Sequence, residues 1–368
     1  MIDDHVHPFP LEYAPLELHA ITLDVNTDAE AERRRRSLAP GRLYLHLLQA
    51  KLADLLGVDL PDVAAARNER AAADWTGWLQ RLFNDAGIDG MVMDEAGPPA
   101  RPTDPSGYAS AAGRPVWWMA RLDPIVDQLL GQGASAGEVV TAVEDAMQAA
   151  AVAGCVAYKA ILAYRTGLGV DPTVDLERAQ RELDADRDEL PIRRRGKALR
   201  DLVLRRALAR AADLDRPVQI HTGFGDSELR LAESAPELLE ELLRTPEGSA
   251  ARVVLIHGSF PWTEAAAYLA SSKPNVWMEL SLSNLFAPVG TAHRLMQMLD
   301  VAPRGRLLLG SDGHGAPETH WFGCRILAEA WEKTAAMMLD AGARPDWVEQ
   351  ARDALFDANA RAVYSLAG

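Results

Sequence analysis

Residues 1–10 read MIDDHVHPFP, and this stretch indicates both how the sheet begins and where its chemistry lies. In an extended strand successive side chains point to opposite faces, so His5 and His7 share one face. Pro8 and Pro10 end the strand directly after the two histidines. Two imidazoles at the carboxyl end of a strand can bind one metal ion, although an isolated His-x-His is more often a pair of ordinary histidines near a terminus. The rest of the chain has to decide between these two interpretations.

Short apolar runs recur along the chain and alternate with helical segments. The predicted strands are residues 2–6, 88–94, 115–122, 155–161, 218–221, 252–257, 275–280 and 306–313. Continuous apolar runs are typical of parallel strands that are buried on both faces. Eight of them separated by helices predict an α/β fold, a (β/α)8 TIM barrel with helical insertions. A doubly wound open sheet is the alternative, but no Gly-x-Gly-x-x-Gly follows a predicted strand to bind a nucleotide.

The length of the chain allows one large barrel or two ordinary domains. Its 368 residues are 48% hydrophobic, which suffices for a sizeable core, and no low-complexity linker or fixed repeat divides them. We therefore expect a single barrel over residues 1–368. Residues of about 11–85 are rich in Ala, Leu and Arg, with leucines at helical spacing between 43 and 56, and predict a helical insertion.

The charge and the cysteines exclude several classes of protein. A net charge of −15 argues against nucleic acid or an anionic membrane as a partner. Cys155 and Cys324 are the two cysteines, too few for a disulfide framework or a cysteine zinc finger. We expect no signal peptide, because the sequence shows no apolar segment of that kind before the first strand, and no membrane span, because no run of about twenty apolar residues occurs in it. We expect a cytoplasmic protein with a small-molecule substrate, which could form a homo-oligomer through the helical insertion.

Polar residues gather at the carboxyl ends of the predicted strands. They are His5, His7, Lys159, His221, His257 and Asp312. In a barrel these ends converge on one mouth, so residues that are distant in sequence can surround a common point. Alone, each histidine could cap a strand, the aspartate could lie in a turn and the lysine could reach solvent. Together they favour a metal site, and nitrogen with carboxylate ligands suits Zn²⁺, or Fe²⁺, Mn²⁺ or Co²⁺, better than Mg²⁺ or Ca²⁺.

This ordered set resembles the metal site of the amidohydrolase superfamily, whose members are (β/α)8 barrels. The segments 158–168 (YKAILAYRTGL) and 310–318 (GSDGHGAPE) narrow the resemblance to the amidohydrolase-2 branch. Within that branch the chain is similar to the amidohydrolase-like half of proteins fused to a glutamine-synthetase-like domain. The likeness extends from the first strand to residues 359–364 (NARAVY).

The resemblance implies a role for each member of the set. His5, His7 and His221 would bind metal, and Asp312 would be a ligand or a proton acceptor. His257 matches a position that holds a second metal in binuclear members and hydrogen-bonds the reacting oxygen in mononuclear ones. Lys159 matches a lysine that binuclear members carboxylate into a bridging ligand, and the alternative is a neutral amine or a charged lysine that contacts substrate. One metal ion or two therefore remain open, with zinc expected first and manganese or iron as alternatives.

The implied reaction is hydrolysis of an amide or related C–N bond of a small carboxylate-bearing substrate. Metal-activated water attacks, and Asp312 acts as general base. Arg165 could bind the substrate carboxylate bidentately, and His314 and Glu318 could line the mouth. A metal-dependent non-oxidative decarboxylase of the same superfamily is the alternative enzyme. A catalytically silent barrel that serves as a scaffold is a third hypothesis.

Overall fold

The computed structural model describes residues 1–23, 28–94, 105–187 and 189–366. Its eight strands form one sheet in sequence order, and each strand is parallel to the next. They are β1 (Ile2–Val6), β2 (Gly90–Asp94), β3 (Val116–Arg121), β4 (Ala157–Ala160), β5 (Val218–His221), β6 (Val253–Ile256), β7 (Val276–Leu280) and β8 (Leu307–Leu309). With helices between them, the strands form the predicted (β/α)8 TIM barrel.

Hydrogen bonds between β1 and the residues after β8 close the ring. The backbone N–H of Asp312 donates to His5 O at 2.8 Å, and the N–H of His7 donates to Gly313 O at 2.8 Å. The Asp3 carboxylate accepts from the backbone N–H of Ser311 at 2.7 Å. The first and last parts of the barrel therefore lie side by side, which brings residue 312 next to the two N-terminal histidines.

Helices fill the connections between the strands. They are α1 (Ala29–Leu38), α2 (Leu43–Leu56), α3 (Val63–Ala73), α4 (Trp75–Asp85), α5 (Pro105–Ala112), α6 (Asp123–Gly131), α7 (Ala136–Val152), α8 (Leu176–Asp186), α9 (Lys197–Asp213), α10 (Pro246–Ala250), α11 (Thr263–Ser272), α12 (Ser283–Phe286), α13 (Thr291–Val301), α14 (Pro317–Asp340), α15 (Pro345–Asp353) and α16 (Asn359–Tyr364). Four of them, α1 to α4, lie between β1 and β2, in the segment predicted to be helical. In the described part of the chain, no helix combines the length and the apolar character of a transmembrane segment.

Two local predictions differ from the structure. The loop expected over residues 97–113 contains α5 in its second half, and its first part lies outside the described residues. The strand expected over 306–313 ends at Leu309. A regular strand cannot extend to residue 312, because Asp312 has a positive φ of 53°, outside the extended region.

Apolar side chains fill the inside of the barrel at the end opposite the carboxyl ends of the strands. They include Ile2, Val92, Met119, Val254, Ile256 and Leu308, and Val363 and Tyr364 of α16 pack against them. This packed layer closes that end of the barrel. The polar residues at the carboxyl ends of the strands therefore face the open end of the barrel.

Candidate metal centre

Two histidine nitrogens lie close to one carboxylate oxygen at the barrel mouth. His5 Nε2 lies 3.2 Å and His7 Nε2 3.1 Å from Asp312 Oδ1. That oxygen is buried, and within the described residues it has no partner in hydrogen-bond geometry. In a tetrahedral zinc site with bonds of roughly 2.0–2.1 Å, neighbouring ligand atoms lie about 3.3 Å apart. Both distances from a histidine nitrogen to Asp312 Oδ1 therefore match the spacing of neighbouring ligands of a divalent metal ion.

The other two predicted histidines complete the same cluster. His257 offers one nitrogen within 4.8 Å of ligand atoms of His5 and Asp312. The rings of His221 and His257 have centroids 4.4 Å apart. His221 Nε2 lies 3.2 Å from Phe224 O, which leaves Nδ1 as the nitrogen for a ligand. The structure thus brings together the four histidines and the aspartate from β1, β5, β6 and β8.

A buried network fixes the orientation of His257. The Ser281 hydroxyl donates to Glu279 Oε2 at 2.8 Å, so it accepts from His257 Nδ1 at 2.8 Å. Glu279 Oε2 also accepts from the backbone N–H of His257 at 3.0 Å. His257 has a positive φ of 71°, a strained conformation that such bonds maintain. The imidazole therefore keeps its proton on Nδ1 and turns the Nε2 lone pair towards the cluster.

Burial keeps the histidines in their metal-binding form. It lowers the pKa of His5 to about 4, and the nearby Lys159 charge adds to this effect. Burial likewise lowers the pKa values of His221 and His257. For Asp312, burial alone would raise the pKa, but His257 and the two N-terminal histidines lower it overall. At neutral pH His5, His221 and His257 are therefore neutral imidazoles and Asp312 is a carboxylate, which are the protonation states of metal ligands.

Lys159 lies beside the cluster on β4. Its Nζ is 3.2 Å from His5 Nε2 and 4.0 Å from Asp94 Oδ2. Burial lowers the pKa of this ammonium to about 8, with Asp94 opposing and Arg121 reinforcing the shift. Two of the roles implied for Lys159, the neutral amine and the carboxylated bridging ligand, need a lysine that loses its proton more easily than in water.

The sequence analysis overlooked Asp94 and Arg121. Asp94 ends β2, is fully buried and offers an oxygen within 4.8 Å of ligand atoms of His5 and His7. Arg121 ends β3, and its Nε donates to Asp94 Oδ1 at 3.1 Å while Nη2 contacts Oδ2. Burial would raise the pKa of Asp94, but the Arg121 charge holds it well below its usual value. Both residues are charged and end predicted strands, so the rule that found the other site residues applies equally to them.

A cavity of about 470 Å³ opens above the cluster. Its wall includes His7, Lys159, His221, His257, Asp312 and the cationic side chains of Arg121, Arg165 and Arg193. This volume is typical of a site for a small molecule.

Arg165 and His314 reach the cavity, as expected, but both are engaged. Arg165 Nε and Nη2 each lie 2.8 Å from Asp127 Oδ2, so one edge of its guanidinium is occupied. His314 Nδ1 lies 2.8 Å from the backbone oxygen of Asp312. These contacts fix the positions of the Arg165 and His314 side chains in the wall of the cavity.

The sequence predicts that Glu318 lines the mouth, but the structure places it elsewhere. It lies in the first turn of α14, is fully buried and does not belong to the wall of the cavity described above. Its carboxylate accepts from Arg67 Nε at 2.6 Å and from Trp78 Nε1 at 2.8 Å. Glu318 therefore joins α14 to the helices α3 and α4, a partnership that the spacing of residues after β8 could not reveal.

Comparison with known proteins gives a consistent result. The model of the amidohydrolase family matches residues 2–366. Protein fluG of Emericella nidulans is 28% identical over 415 aligned positions, which cover 100% of this chain and 46% of fluG, so the chain spans about half the length of that relative. A Lactobacillus casei protein assigned as a metal-dependent hydrolase has a TM-score of 0.85 at 23% identity, covering 99% of this chain and 94% of the other. Uronate isomerase of Thermotoga maritima has a TM-score of 0.70 at 12% identity, with coverage of 99% and 94%.

Proposed function

Because this chain belongs to the amidohydrolase family, we propose that it hydrolyses an amide or related C–N bond of a small substrate that carries a carboxylate. Membership makes it a metal-dependent enzyme of the superfamily, and the specific reaction is our proposal. One observation carries it: His5 Nε2 and His7 Nε2 lie 3.2 Å and 3.1 Å from the buried Asp312 Oδ1, which is the spacing of neighbouring metal ligands. The cavity above these atoms is large enough for a small substrate and is rich in cationic side chains.

The residues of the cluster would divide the chemistry between them. A divalent metal ion held by His5, His7 and Asp312 would lower the pKa of a water molecule and polarise the substrate carbonyl. Asp312 is ionised at neutral pH and can accept the proton of the attacking water. It then returns that proton to the nitrogen as the C–N bond breaks, so the products are a carboxylic acid and an amine. His257 turns Nε2 towards the reacting group, held by Ser281.

We propose zinc as the metal, since imidazole and carboxylate ligands at this spacing suit it, with manganese and iron as the alternatives. Elemental analysis of the purified protein gives the identity of the metal and the ratio per chain. A ratio near two would support a carboxylated Lys159, and a ratio near one would support a single ion with a lysine amine.

The test of the reaction is an assay of amine release. The metal-loaded enzyme is incubated with a panel of N-acyl amino acids and other small carboxylate-bearing amides. We expect turnover that chelation abolishes and added metal restores, and that Asp312→Asn lacks. The matched control, Asp300→Asn, alters an exposed aspartate of α13 and should retain turnover. Full activity in the metal-free protein would refute the proposal, and release of CO₂ instead of amine would assign the protein to the decarboxylases.

A further inference from the structure

Arg121 and Arg165 both line the cavity, and an aspartate occupies the Nε and Nη2 edge of each guanidinium. Arg165 Nη1 also lies 3.4 Å from the backbone oxygen of Tyr164, and Arg121 has the more exposed side chain. Its side chain is 15% exposed and lines the cavity at the end of β3. Asp94 occupies one edge of the guanidinium, through Nε and Nη2. Among the residues that the structure describes, Nη1 reaches no acceptor at hydrogen-bond distance. One edge of the fork is thus fixed, and the second edge, formed by Nη1 and the remaining proton of Nη2, is available to a ligand.

We propose that this second edge of Arg121 binds the carboxylate of the substrate. An arginine fork matches a carboxylate bidentately, with two parallel N–H···O bonds. Asp94 fixes the guanidinium before the substrate arrives, so little side-chain entropy is lost on binding. The proposal rests on the proposed function, and it replaces Arg165 as the residue that recognises the carboxylate, because Arg165 is 3% exposed and bound to Asp127.

The position of Arg121 limits the size of the substrate. Arg121 and Lys159 are register partners on β3 and β4. The Nζ of Lys159 lies 4.0 Å from the Asp94 oxygen that Arg121 contacts, and 3.2 Å from His5 Nε2. Only a few contacts therefore separate the guanidinium from the metal cluster. The substrate class that fits is a short acid whose carboxylate lies a few atoms from the scissile bond, as in an N-acyl amino acid.

The test measures binding, so that it does not depend on turnover. The zinc-loaded protein is titrated by calorimetry with N-acetylglycine, N-acetyl-β-alanine and N-acetyl-4-aminobutyrate, each paired with its carboxamide. We expect the wild type to bind at least one acid more tightly than the matching amide. Arg121→Met should reduce that preference about 10- to 100-fold, because it removes a charge-assisted bidentate bond. Arg121→Lys, which keeps the charge without the fork, should restore only part of it.

Controls separate recognition from folding and from direct binding to the metal. Arg344→Met alters an exposed arginine paired with Asp346 and should leave the preference unchanged. Because Arg121→Met leaves Asp94 buried without its partner, the double variant Asp94→Asn/Arg121→Met is titrated as well, with zinc content measured for each protein. A lost preference at unchanged zinc content supports the proposal.

Two results would overturn it. One is an acid preference that persists in Arg121→Met, since the metal or another arginine would then hold the carboxylate. The other is the absence of any acid preference in the wild type across all three pairs. If acid binding depends on Arg121 but no amine is released in the activity assay, the carboxylate site stands and the hydrolytic reaction fails. If amine is released but acid binding does not depend on Arg121, the hydrolytic reaction stands and the carboxylate site fails.

Discussion

Neutralising Glu318 should destabilise the protein without removing its metal site. The carboxylate is fully buried and accepts three hydrogen bonds, from Arg67 Nε at 2.6 Å, Arg67 Nη2 at 3.2 Å and Trp78 Nε1 at 2.8 Å. In Glu318→Gln the Arg67 charge stays buried, with 1% of its surface exposed, and loses its counter-ion. Breaking a buried pair in this way costs about 3–5 kcal/mol.

Thermal unfolding measures this loss. With an unfolding entropy of about 2.1 cal/mol/K per residue, the loss lowers the Tm of a 368-residue chain by roughly 4–6 °C. Glu329→Gln is the matched control on the same helix, α14. Glu329 pairs with Lys51 at 2.5 Å, but the two side chains are 38% and 22% exposed, so the loss should be below about 1 kcal/mol.

A double variant tests the reason for the effect. Arg67→Met/Glu318→Met removes both charges and should lose less stability than the two single variants added together, because no charge is left unpaired. Zinc content and the affinity for carboxylates should equal those of the wild type in every folded variant. The reasoning is refuted if Glu318→Gln unfolds at the wild-type temperature, or if it lowers carboxylate affinity while stability is unchanged.

Three further outcomes follow from the site. Asp312→Asn should lower zinc affinity by more than about 100-fold, because loss of a residue that only hydrogen-bonds a metal ligand already costs about 10- to 100-fold. Equilibrium dialysis measures this affinity. Ser281→Ala should lower zinc affinity or turnover about 10- to 100-fold, because His257 loses the acceptor that fixes its proton on Nδ1. Burial lowers the pKa of His320 from 6.5 to about 4, so the unfolded chain binds more protons between these pH values. Stability should therefore fall by about 3 kcal/mol as the pH drops through this window, and His320→Gln should fall less steeply in urea titrations.

Each of these outcomes has a control. Asp300→Asn and Ser272→Ala make the same chemical changes at exposed positions and should bind zinc normally. For the pH prediction, His293→Gln alters an exposed histidine of α13 and should keep the wild-type dependence. Normal zinc binding and turnover in Ser281→Ala would contradict the orienting role of the serine. An unchanged pH dependence of stability in His320→Gln would contradict the role of His320 in it.

Local sequence patterns were sufficient for the barrel and for most of the metal cluster. A strand buried on both faces needs a continuous apolar run, and the chain repeats this run eight times. Because parallel strands in a barrel present all their carboxyl ends at one mouth, the position of His5, His221 or Asp312 at a strand end already predicts that they meet. Asp94 and Arg121 also end strands, so the same rule applies to them, although they are not among the predicted site residues.

The partners of each charged side chain were decided by the tertiary structure alone. Glu318 follows β8 and Arg165 follows β4 along the chain, so sequence alone places both at the mouth. In the structure Glu318 binds Arg67 of α3, and Arg165 binds Asp127 of α6. In the described part of the chain Arg121 keeps the edge formed by Nη1 and Nη2 free towards the cavity, and sequence spacing does not distinguish it from Arg165. A period of two or of 3.6 residues specifies the face that a side chain occupies within its own element. Hydrogen-bond satisfaction depends on contacts between elements, so it is determined only when the whole chain is folded.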